Sequence, residues 1–162
     1  MIIKIEPEKI IFNKGIQRLC KKPYRDHPNG CINYKKKEGC PPGQPLINKV
    51  FDFEKNLYVV YTLATIGQFA DRMRHAHPDW SDRQCYNPRL WQPTARKAHD
   101  EEIERILAEH EGLAVNKSPE AHGVNVTETM GNIDIKLNWD WPPAHSIQNI
   151  SYLVSMAGTP LR

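Results

Sequence analysis

At 162 residues, with 40% hydrophobic composition and a formal charge of +3, the chain has the size of one domain, able to bury about two-thirds of its unfolded surface. No stretch approaches the roughly eighteen consecutive apolar residues of a membrane span, and Met1 to Glu6 offers neither a long apolar run nor a leader cleavage site. These features argue against a helical membrane protein and predict a single cytoplasmic domain over 1–162. In that compartment thiols stay reduced, so four cysteines read as ligands or reactive groups ahead of disulfides.

In chain order, Ile2 to Ile5 predicts a short opening strand and Lys14 to Lys22 a turn of helix. Pro23, Pro28, Gly30, Gly39, Pro41, Pro42, Gly43 and Pro45 then forbid regular structure, leaving an irregular loop over about 14–46 that needs something to hold it. Leu57 to Leu63 is β-branched and aromatic, the composition of a buried strand. Thr65 is placed to cap a helix with Ile66, Phe69, Ala70 and Met73 on one face, closed by His77-Pro78.

An aromatic, arginine-bearing connection runs from Trp80 to Trp91, followed by a long helix from Thr94 to about Glu111, with Gly112 as its C-cap. Late strands are expected at Val124 to Thr127, Ile133 to Trp139 and Ile150 to Met156. The middle one has the cleanest period of two, with Ile133, Ile135, Leu137 and Trp139 on a face expected to pack on the long helix. The order of elements predicts an α+β fold: a small mixed or antiparallel sheet covered by helices, with an irregular cysteine-rich loop.

Cys20, Cys31 and Cys40 lie in that loop, and Cys85 follows 45 positions after Cys40. Thiolates on irregular backbone commonly hold a metal or an iron–sulfur cluster, because a loop can wrap a polyhedral centre. The spacing matches neither paired zinc knuckles nor the tight ferredoxin run, but Cys40-Pro41 repeats a pairing common at cluster ligands, and Gly30 and Gly39 each precede a cysteine. Between Lys14 and Lys37 stand eight basic residues against Asp26 alone. Such a patch offsets the charge of thiolates or attracts phosphate and nucleic acid; it also fits a solvated lysine-rich loop.

The stretch Cys20-Lys21-Lys22-Pro23-Tyr24, through His27-Pro28-Asn29-Gly30-Cys31-Ile32-Asn33-Tyr34, to Gly39-Cys40-Pro41-Pro42 resembles small uncharacterised predicted metal-binding proteins, whose hallmark is a cysteine, an Asn-Tyr and a Cys-Pro-Pro. The likeness covers about 25 residues well, and it implies a metal or an iron–sulfur cluster without naming a reaction. Two ligand sets are open. Cys20, Cys31 and Cys40 alone would leave one iron of a [4Fe–4S] cluster free for Lewis-acid or sulfur chemistry, an arrangement that resembles enzymes that thiolate or desulfurate nucleobases. Adding Cys85 would close the centre as a structural or electron-transfer site. The competing metal is zinc, with His27 or Cys85 as fourth ligand.

A second constellation, including His75, His77, Arg83, Tyr86, Arg89, Trp91 and Gln92, offers forked donors and stacking faces to a polar substrate. Its structural alternative is a tryptophan-anchored turn with solvated arginines. His99, Glu102 and His110 read as surface charges on the long helix. No phosphate loop, serine elbow or H-E-x-x-H is present. The expected protein binds a [4Fe–4S] cluster and handles sulfur or redox chemistry on a small or nucleotide-like substrate, with Arg83, Arg89 and Trp91 as substrate contacts and an unidentified electron or sulfur donor. The alternative is a zinc- or cluster-stapled module binding nucleic acid through the basic loop, or binding a protein.

Overall fold

The computed structural model describes residues 1–24 and 27–161. Four strands, β1 (Ile2–Ile5), β2 (Leu57–Ala64), β3 (Ala114–Asn116) and β4 (Ser151–Gly158), form one antiparallel sheet in the order β1-β2-β4-β3. β2 is paired along its whole length with β4, from Leu57 opposite Gly158 to Ala64 opposite Ser151, so its hydrophobic run serves both faces of the sheet. The expectation of a mixed α+β domain with a small antiparallel sheet holds.

Five α-helices accompany the sheet among the described residues: α1 (Lys14–Arg18), α2 (Ile66–Ala76), α3 (Asp82–Cys85), α4 (Pro88–Glu109) and α5 (Val126–Gly131). α4 covers one face, where Ile103 and Ile106 meet Val60 and Ala157. The other face buries Leu57, Val59 and Met156 against Ile5, Ile47, Phe51, Val124 and Met130, most of them from loops and α5. A third cluster of Ala70, Cys85 and Tyr86 ties α2 to α3. No helix of the described residues is long and apolar enough to cross a membrane.

Three expectations fail for local reasons. The long helix begins at Pro88, because Asn87 accepts a hydrogen bond from the Arg89 amide and proline fits the first turn; Pro93 lies inside the helix without ending it. Val126 starts a helix instead of continuing a strand. Asn125 caps the Glu128 amide and donates to Glu128 Oε1, a reciprocal start visible in the sequence as Asn-x-x-Glu.

Ile133 to Trp139 forms no strand. Asp134 adopts φ +62°, and the Ile133 and Ile135 amides both donate to the Met130 carbonyl. Ile133, Ile135 and Leu137 still pack inward, but on the core beneath the α4-free face and not on α4, while Trp139 stays 69% exposed. The third strand beside β4 is instead Ala114–Asn116, just after the left-handed Gly112.

Candidate functional site

The cysteine loop is anchored to the domain at both ends. α1 is capped by Asn13, whose side chain accepts from the Ile16 amide at 3.2 Å. Buried Gln17 donates its amide to Gln44 O at 2.9 Å and Ala121 O at 2.8 Å, joining α1 to the far end of the loop and to the body. A short 3₁₀ turn, Leu19–Lys21, carries Cys20.

Backbone hydrogen bonds bring the next cysteine back to the first: the Cys31 N–H donates to Cys20 O at 2.8 Å. Gly30 makes this closure feasible, with φ +78° and a position where a Cβ would lie 2.6 Å from Cys20 O. Tyr34 N–H donates to Cys31 O, Cys40 N–H to Lys37 O and Lys35 N–H to Pro41 O, at 3.1, 3.1 and 3.0 Å, which folds the lysine stretch between the second and third cysteines into turns.

Cys20, Cys31 and Cys40 are free, half-buried thiols. Their mutual influence is electrostatic as well as spatial. The Cys20 thiol is pushed up first by burial, then by the neighbouring Cys31 and Cys40, and further by Glu120. Tyr24 is raised by desolvation and by the same Cys31 and Cys20. A cation beside Cys20 would relieve that cost and favour its thiolate.

Among the described residues no group of three or more His, Cys, Asp and Glu side chains converges on a point able to hold one ion. Zinc demands that convergence, with ligands at about 2.0–2.3 Å from a single centre. His27 is exposed and its ring lies against Tyr24, with centroids 4.5 Å apart.

Cys85 lies elsewhere. It is fully buried in the apolar cluster with Ala70 and Tyr86, bordered by Ile66, Met73, Trp80 and Trp141, with no residue of the cysteine loop in that cluster. The arginine and tryptophan residues expected to read a substrate are not gathered into one site. Arg89 borders a shallow surface along α4, whereas Trp91 borders a cleft of about 530 Å³ between α4 and β4 and donates its indole N–H to Tyr86 O at 3.0 Å; Arg83, on α3, lines neither.

His99 is not a surface charge. It is 5% exposed, with Nδ1 2.8 Å from Thr62 Oγ1 and Nε2 2.8 Å from Ser155 Oγ, and burial lowers its pKa so that the ring is held neutral. Its partners come from β2 and β4, and no sequence spacing links them. No protein-family model, curated protein or solved structure matches the chain.

Proposed function

We propose that the protein binds a [4Fe–4S] cluster through Cys20, Cys31 and Cys40. The observation that carries this reading is the closed loop in which the Cys31 amide bonds to Cys20 O and three free, half-buried thiols share one irregular segment. The burial of Cys85 in a separate apolar cluster supports a three-cysteine set over a four-cysteine one. When bound, such a cluster would supply an iron without a protein ligand, suited to Lewis-acid or sulfur chemistry.

The residues of the chain itself would tune this centre. The loop lysines supply positive charge near the thiolates, and the turn amides at Cys31 and Cys40 fix the backbone beside two ligands. The activity we propose is sulfur or redox chemistry on a small or nucleotide-like substrate.

Oxygen-free purification with measurement of visible absorption, iron, acid-labile sulfide and zinc tests the proposal. A broad brown absorbance with about four irons and four sulfides per chain supports it. Stoichiometric zinc without colour would overturn it and leave a zinc-stapled binding domain.

A further inference from the structure

The cations of the loop are not scattered. Lys14, Arg18, Lys21, Lys35 and Lys49 line one cleft of about 780 Å³, together with Tyr34, and no described carboxylate lines it. None of the five forms an ion pair with a described residue, and Lys21 instead lies 5.5 Å from the centroid of the Tyr34 ring. Gathering like charges without counter-charges opposes folding, and an anionic ligand relieves that repulsion.

A second cleft of about 420 Å³ is lined by Lys21 and Tyr34 from its near side and reaches Cys31 and Gly30. Lys21 and Tyr34 are therefore a shared wall between a cationic trough and the cysteine site.

We infer that this trough binds the phosphodiester backbone of a single-stranded nucleic acid, with Tyr34 as a stacking face and the strand passing beside Cys31. Five cations lining one cleft suit a run of phosphates better than one phosphate, and an aromatic ring among them suits an unpaired base. The trough stands on its own charges and does not require the cluster; only the position of the strand beside the cysteines rests on the proposed function.

The test is fluorescence anisotropy of a labelled twelve-nucleotide oligouridine with the oxygen-free purified protein, over a range of salt. Five phosphate contacts predict a slope near −3.5 in log K against log salt, at about 0.7 per contact for single strands. The variant K14E/R18E/K49E removes three cations that lie outside the cysteine stretch; it is expected to bind more than about tenfold more weakly with a flatter slope while keeping its iron. The milder K14Q/R18Q/K49Q, checked by circular dichroism, covers the case in which charge reversal unfolds the chain and is expected to weaken binding in the same direction.

Wild-type affinity in both folded variants, or salt-independent binding, would overturn the inference. So would competition by inorganic phosphate as effective as unlabelled oligouridine, which would assign the trough to free phosphate. Iron content reports separately on the cluster, so loss of either property is read without the other.

Discussion

Gly30 lies directly over the Cys20–Lys21 peptide, so close that a methyl group on it would sit 2.6 Å from the Cys20 carbonyl oxygen and 2.8 Å from the Lys21 carbonyl carbon. With φ at +78°, the position combines a left-handed backbone with a steric limit, and the Cys31 amide that follows it closes on the same Cys20 oxygen. Gly39 precedes the third cysteine with a similar φ of +82° but has open space around it.

The two glycines should therefore respond differently. Gly30→Ala is expected to displace Cys31 from Cys20 and, with the cluster proposed above, to lose most of the iron. Gly39→Ala should keep wild-type iron content and give up only about 1–2 kcal/mol of stability, the usual cost of placing alanine in the left-handed region. Iron analysis and thermal melting of both variants decide this; equal iron loss would contradict the close-approach argument.

Cys85→Ala should retain the iron of the wild type, since this thiol packs with Ala70 and Tyr86. Stability should fall by about 1–2 kcal/mol through a small cavity, and Cys85→Ser should cost about 1–3 kcal/mol by burying a hydroxyl without a prepared partner. Loss of iron from both folded variants would make Cys85 a ligand.

His99→Ala removes the partner of Ser155 Oγ, on a fully buried residue, and of Thr62 Oγ1. Stranded polar groups and the cavity together should destabilise by about 3 kcal/mol or more, read from denaturant unfolding. Because the folded pKa of His99 lies below its ordinary 6.5, its contribution is present above that value and is lost as pH falls below 6.5. His99→Gln should flatten that part of the stability profile; an unchanged slope between pH 7 and 5 would count against the buried neutral ring.

Glu102 receives the Arg105 guanidinium at 2.8 and 3.1 Å and the Met1 amine at 2.5 Å, and these partners hold its carboxyl at about 2, against an ordinary 4.5. A carboxylate depressed in the folded state stabilises above pH 4.5 and loses that contribution as pH falls from 4.5 toward 2. Glu102→Gln should be less stable near neutrality and lose less on acidification over this window. Parallel melting curves for the two proteins across it would contradict the assignment.

Local chemistry was legible in the chain wherever it acts over a few residues. The prolines and glycines of 23–45 exclude helix and strand by their own dihedral limits, and Leu57 to Leu63 carries its strand preference in β-branched side chains; Asn125-x-x-Glu128 also contains a helix start, which the expected strand at Val124 to Thr127 overlooked. The same reading misjudged Ile133 to Trp139, because alternation states only that one side meets apolar surface. A strand also needs an edge to pair with, and Ala114–Asn116 takes the place beside the C-terminal half of β4.

The sequence by itself determined that three cysteines and a run of lysines share an irregular loop, because those facts are composition and chain stiffness. Only the tertiary structure decided that Cys85 joins a different core from the other three, that His99 is buried between two strands, and that Lys14 and Lys49 meet across one trough. Each of these depends on which surfaces face each other after the sheet and α4 have closed. That is set by the summed burial of residues far apart in the chain, which no local spacing encodes.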